Sequence, residues 1–360
     1  MRNPFGLAIF ALVCLLGETS GSTHAQCYSS CATEWTGSSV INLGGLPGSA
    51  YSVASGINGS GLAVGYSQVG GVSYATEWTG SSIINLGGLT GFTGSDALGI
   101  NDAGLAVGES VVGGVGYATE WSGSSITNLG GLTGFTGSQA NGINAAGLAV
   151  GESTVGSVYY ATEWSGSSII NLGGLTGFTD SDATGINAAG LAVGYSVVGG
   201  VSYATEWSGS SIINLGGLTG FTSSRANSIN DAGLAVGESS AGSVFYATEW
   251  SGGSIINLGG LPGFTDSDAF GVNDAGVAVG YSIVNGVFYA TEWTGSSIIN
   301  LGVLPGFSVS EPFSINATGL AVGESNGTSS SVPESSIWAM MLIGFAGVGF
   351  AGYWRTRRLV

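Results

Sequence analysis

Through the middle of the chain the apolar positions come in short runs of four to seven residues, cut by glycine, serine and asparagine. Runs of this length, rich in Val, Ile, Tyr and Trp and bounded by turn residues, mark β-strands rather than helices. From Tyr74 onward one set of four reads "YATEW", "SIINL", "SDALGIN" and "GLAVGES". The turns between them differ. Asn101-Asp102-Ala103-Gly104 reads as a tight hairpin turn closed by glycine, and "VVGGVGY" and "WSGSS" are short turns as well. Only "LGGLTGFTG", between "IINL" and the next "SDALGIN", is a long link.

The set repeats. Ala-Thr-Glu-Trp recurs with its tryptophan at Trp35, Trp78, Trp121, Trp164, Trp207, Trp250 and Trp293, every interval being 43 residues. The asparagines Asn58, Asn101, Asn144, Asn187, Asn230, Asn273 and Asn316 keep the same step. A period of ~43 lies in the range of four-stranded propeller blades. The expected fold is therefore an all-β, seven-bladed β-propeller, with a stacked β-solenoid as the alternative. The long link should carry the chain from an outer strand to the inner strand of the next blade. The order from the axis outward is then "SDALGIN", "GLAVGES", "YATEW", "IINL". The repeats begin with a third and fourth strand ("CATEW", "SSVINL") and finish with a first and second ("SEPFSIN", "GLAVGES"). The seventh blade should accordingly be built from both chain ends, like a clasp.

The two ends carry different signals. Residues 1–25 have one arginine, an apolar run over 6–16 and Thr23-His24-Ala25 before Gln26, the pattern of a secretory signal peptide. The propeller is expected over 26–325, followed by a Ser-rich linker and sorting motif over 326–335. Residues 336–360 contain 18 positions without a charge (337–354), ~27 Å as a helix and enough to span a bilayer. Arg355, Arg357 and Arg358 behind that span would hold its end in the cytoplasm.

Composition narrows the chemistry. With 68 glycines and 44% hydrophobic residues the chain is neither collagen-like nor disordered. The formal charge is −17, and Arg225 is the only basic residue between the two ends, which excludes a nucleic-acid-binding surface. Cations, glycans or other proteins remain as partners. The one histidine, His24, leaves with the signal peptide, and no lysine exists. That removes Ser-His-Asp and Cys-His catalysis, histidine metal sites and Schiff bases. Carboxylate chemistry survives, for instance a glycosidase acid pair, but no unit differs convincingly from the rest. The expectation is no enzyme and no cofactor.

Three sets of side chains stand out. Cys27 and Cys31 remain after export to an oxidising compartment and are expected to form a small intrachain disulfide, with an intermolecular bridge or two free thiols as the alternatives. The glutamates of the seven "ATEW" strands (Glu34, Glu77, Glu120, Glu163, Glu206, Glu249 and Glu292) cannot all be buried unpaired. They must reach water, accept backbone N–H bonds or bind cations such as Ca²⁺. At the start of each inner strand the chemistry varies: Val53, Asp96, Gln139, Asp182, Arg225, Asp268 and Glu311. These are expected to surround one mouth of the channel as a ligand ring. An unconstrained surface loop would show the same variation.

The C-terminal order of features, Val332-Pro333-Glu334, a short apolar helix and terminal arginines, resembles the PEP-CTERM sorting signal of Gram-negative bacteria. Ser335 stands where that signal usually has a second proline. The resemblance covers the last 29 residues. It implies processing by an exosortase, a membrane-embedded enzyme, release to the cell surface or matrix, and association with exopolysaccharide. The repeats are similar to the extracellular HAF type: "INLGGL", "GIN" and "GLAVGYS" match over 31–325, while "YATEW" replaces the His-Ala-Phe element. That likeness implies a surface location and a β fold, not an activity.

Overall fold

A computed structural model describes residues 27–327, apart from 28, 38 and 81. The expected signal peptide, membrane span, sorting motif (Val332, Pro333, Glu334) and orienting arginines (Arg355, Arg357, Arg358) lie outside the described residues. Within them there are 28 strands and no helix long and apolar enough to cross a membrane.

The strands fall into antiparallel groups of four. In blade 2 the order from the axis outward is Phe92–Ile100, Ala106–Val112, Val115–Ser122 and Ser125–Gly130, as the turn lengths require. The first hairpin is set by Asn101. Its backbone N–H donates to Leu105 O, its Oδ1 accepts the N–H groups of Ala103 and Leu105, and Gly104 supplies the left-handed residue at φ +77°. The next hairpin turns on Gly113 and Gly114, both at positive φ, as a two-residue turn between twisted strands demands.

The ring closes as a clasp. Val309–Ile315 and Leu320–Asn326 from one chain end join Ser30–Thr36 and Ser39–Gly44 from the other, and Ser30 to Thr36 pair with Asn326 to Leu320 without a break in register. Each period asparagine donates its Nδ2–H to the backbone oxygen of the next one, and Asn316 donates to Asn58. A closed circuit of seven such bonds excludes the open solenoid and makes the arrangement a β-propeller.

The hydrophobic core lies between sheets. Val64 and Ala75 of blade 1 pack on Ala97, Ile100, Ala106 and Trp121 of blade 2, and equivalent clusters recur around the ring. Ser95 ties the same seam with hydrogen bonds: its Oγ accepts from Ala75 N–H and donates to Gly87 O. Trp121 adds an Nε1–H bond to Gly87 O of the preceding blade. The tryptophans are thus seam core, not exposed platforms. Outward, the last strands expose isoleucines such as Ile170 and Ile213.

One irregularity recurs in every blade. Ala97 pairs with Gly108 and Gly99 with Val107, so Leu98 is an extra residue bulged out of the ladder. The same shift leaves Ser55, Asn141, Thr184, Asn227, Phe270 and Phe313 unpaired in the other blades. Gly108 makes it feasible, because a Cβ there would collide with Asp96 O and Ala97 Cα.

Candidate functional site

The bulge turns its residue toward the axis. Ser55, Leu98, Asn141, Thr184, Asn227, Phe270 and Phe313 together line one mouth of the central channel, a cavity of about 250 Å³. The waist below is apolar, formed by Ile57, Ile100, Ile143, Ile186, Ile229, Val272 and Ile315. The opposite mouth carries Asp102, Asp231 and Asp274. Those three carboxylates accept backbone N–H groups of Gly59, Ala188 and Asp231 at 2.7, 2.8 and 3.0 Å, so each is a structural brace between blades.

The bulged mouth is two-sided. On one side Asn141 donates to Asp182 Oδ1 (2.9 Å) and Ala183 O (3.0 Å). Asn227 donates likewise to Asp268 Oδ1 (3.0 Å) and Ala269 O (2.9 Å), and Thr184 Oγ1 donates to Ala226 O. These bonds use the amide N–H groups and leave the amide oxygens as acceptors. On the other side Phe270 and Phe313 have ring centroids 5.5 Å apart, and Tyr281 and Phe288 extend the aromatic surface from Phe270. A mouth with hydrogen-bonding groups on one side and ring faces on the other suits a ligand of matching amphipathic shape.

The ring expected from sequence is displaced from this mouth. Asp96, Gln139, Asp182, Arg225, Asp268, Glu311 and Val53 sit two residues earlier on the inner strands and do not line the channel. They face the second strand instead, opposite Glu109, Glu152, Tyr195, Glu238, Tyr281, Glu324 and Tyr66. The bulge accounts for the difference, since it brings the later position round to the axis. Asp182 and Asp268 still serve the mouth by fixing Asn141 and Asn227. Arg225 lies over the Tyr195 ring at 4.5 Å and donates to Ser202 Oγ.

Burial raises the affinity of these carboxyls for protons. It pushes Asp96 up to about 8, with the Glu109 charge adding to the effect, and Glu152 up to about 8, helped by Asp182. Glu311 reaches about 7 through burial and the charge of Glu324. Asp182 reaches about 6, where burial outweighs the Asn141 hydrogen bond and the Arg225 charge. Among the described residues no group of three or more His, Cys, Asp or Glu side chains could hold a metal ion. The "ATEW" glutamates are part-exposed and reach water, the first of the three outcomes open to them. Cys27 and Cys31 form the expected disulfide, with Cα atoms 5.4 Å apart, packed against Leu304.

The mouth residues went unrecognised in the sequence, although their chemistry varies along the repeats as clearly as that of the expected ring. No family model matches the chain, and no curated protein matches it. Among solved structures it is similar to TolB from Acinetobacter baumannii, at 11% identity and a TM-score of 0.47, over 83% of this chain and 64% of that one.

Proposed function

We propose that this chain is an exported cell-surface or extracellular-matrix protein whose propeller is a non-catalytic scaffold and binding module, with its ligand at the bulged channel mouth. One observation carries the reading: across near-identical units, the single bulged position aimed at the axis runs Ser, Leu, Asn, Thr, Asn, Phe, Phe. A scaffold that keeps its frame while the side chains at a channel mouth vary is suited to recognition. Matrix polysaccharide is the favoured partner, because Phe270 and Phe313 offer faces for a sugar ring and the Asn141 and Asn227 oxygens accept its hydroxyls. Surface proteins are the other candidates.

Export and sorting rest on the two sequence ends and on the PEP-CTERM likeness, with an exosortase-type enzyme as processing partner. Mass spectrometry of membrane and medium fractions from the native host tests this. Mature ends near Gln26 and Val332 are expected; an intact C-terminus through Val360 in the membrane would leave a plain anchored protein. For the mouth, Phe270→Ala with Phe313→Ala should weaken retention on matrix polysaccharide at least tenfold.

A second reading is a carboxylate-based glycan-processing enzyme. It draws on Asp96 and Glu109, which stand directly opposite one another on adjacent strands of blade 2. Turnover of matrix polysaccharide by the purified protein, lost on Asp96→Asn, would establish it.

A further inference from the structure

A recess of about 510 Å³ lies outside the channel, in the seam between blades 1 and 2, and is larger than either mouth of the channel. Blade 1 contributes Tyr51, Tyr66, Gln68 and Ser73, and blade 2 contributes Asp96 and Glu109. We propose that this recess is an amino-sugar subsite, taking the free ammonium of a hexosamine residue between Asp96 and Glu109. This deepens the glycan-binding reading and rests on it.

In this seam a small residue stands at a position that is bulky in three other blades. The position of Ser73 is Tyr159 in blade 3, Phe245 in blade 5 and Phe288 in blade 6. At Tyr159 and Phe245 the strand is tied across the seam by bonds from the backbone N–H groups to Asp180 and Asp266 of the following blade. In blade 4 the position is Ser202, and Arg225 of the next blade reaches across to it. In the blade 1 seam, Ser73 is matched by Gly94 on the facing strand, and nothing bulky enters. In blade 2 the same position is Gly116, where the Glu109 carboxylate lies in the space a Cβ would take.

The electrostatics specify the occupant. Asp96 Oδ1 is buried with no hydrogen-bond partner, although the residue opens on the recess. A donor from a ligand would satisfy that acceptor once the carboxyl turns into the recess. Two carboxyls face each other across the strands, and Arg225, the only basic residue among the described ones, is engaged with blade 4. The pair must therefore keep a proton or receive a cation. Glu152 and Glu324 add negative charge nearby, and Tyr51 and Tyr66 are the other titratable groups on the walls.

A divalent metal would want a third carboxylate, and none gathers here. An ammonium needs fewer ligands. It brings three N–H donors, and the two tyrosine rings, stacked at 5.8 Å and 26°, offer faces to a cation and to ring C–H groups. Gln68 and Ser73 remain for hydroxyl groups. When the ammonium enters, the proton that burial keeps on Asp96 leaves to solvent, so binding near neutral pH releases up to one proton.

Calorimetric titration of the full chain in detergent, in two buffers of different ionisation enthalpy, tests this with glucosamine, N-acetylglucosamine, glucose and putrescine. Glucosamine should bind at least tenfold more tightly than the other three, with proton release. Ser73→Phe copies the closed seams of blades 5 and 6 and should abolish the heat while leaving the melting temperature unchanged. Asp96→Asn should abolish proton release and the preference for the amine. Absence of glucosamine binding, equal binding of N-acetylglucosamine or putrescine, or indifference to Ser73→Phe would each overturn the assignment. Should matrix polysaccharide still bind when glucosamine does not, the broader glycan reading stands and only the amino-sugar subsite falls.

Discussion

Asn316 donates its side-chain N–H to the backbone oxygen of Asn58, 258 positions earlier, at 3.0 Å. The bond has the same geometry as the six that join neighbouring asparagines 43 apart, so the chain ends are held as the interior is. Closure rests further on the unbroken pairing of Ser30–Thr36 with Leu320–Asn326 and on Trp35 Nε1–H to Gly302 O. Deleting residues 308–325 removes half a blade together with the Asn316 bond and the strand that pairs with Ser30–Thr36. The expected result is one cooperative loss of the whole β body in circular dichroism and proteolysis. Survival of six resistant blades would show that closure is dispensable.

A milder change separates the asparagine's roles. Asn187→Ala in mid-ring removes one donor to Asn230 O and the acceptor for Leu191 N–H. At ~1 kcal/mol net for each lost bond, and more where a buried partner is left unpaired, the variant should lose about 2–3 kcal/mol in denaturant unfolding. Asn316→Ala should lose a similar amount. A much larger loss at Asn316 would mark closure as the weakest joint of the ring.

Most of this frame was legible in the sequence, because an uninterrupted 43-residue step leaves little freedom. Once Asn101-Asp102-Ala103-Gly104 is a tight turn and "LGGLTGFTG" the long link, strand order, phase and the clasp follow. The mouth was not legible. A bulge at Leu98 depends on how closely Gly108 approaches Ala97 across the sheet, and glycine is too common here to signal one such contact. In the sequence the conspicuous charge is Asp96, whereas the axis-facing residue is Leu98. The seam recess was hidden for another reason: Ser73, Gly94 with Asp96, and Glu109 come from three separate strands and look unremarkable one at a time.

The bulge gives a sharp contrast between glycines. A methyl group at Gly151 would strike Gln139 O and Ala140 Cα, both backbone atoms that cannot step aside. Gly156, in a hairpin at φ +68°, has open space around it. Gly151→Ala should prevent folding or cost more than about 4 kcal/mol, whereas Gly156→Ala should cost about 1 kcal/mol through backbone strain alone. Equal effects on thermal unfolding would contradict the close approach.

Two tryptophans in the same slot differ. Trp207 donates Nε1–H to Gly173 O at 3.2 Å, while Trp164 Nε1 is buried without a partner. Replacing either with phenylalanine removes the same volume, but only Trp207→Phe also breaks a hydrogen bond. Trp164→Phe instead relieves an unpaired donor. Trp207→Phe should be the more destabilising by about 1 kcal/mol, and the reverse order would be inconsistent with the seam geometry.

The buried carboxyls set an unusual response to pH. Asp96, Glu152, Glu311 and Asp182 hold protons up to about 8, 8, 7 and 6 in the folded protein, whereas in the unfolded chain they ionise near 4. Between those limits the folded state binds more protons than the unfolded one, so lowering the pH favours folding. The gain accumulates as pH falls from about 8 toward 4 and ends there, once both states are protonated. Loss of surface charge from a chain at −17 acts in the same direction. The melting temperature should rise on going from pH 8.5 to pH 5, by on the order of 5 °C for a body of this size. Glu152→Gln should raise the melting temperature at pH 8.5 and flatten the slope, because the amide occupies the site without a charge to desolvate. A melting temperature that falls over the same range would mean that these carboxyls are ionised and solvated in the folded state, and that the inter-blade seams admit water.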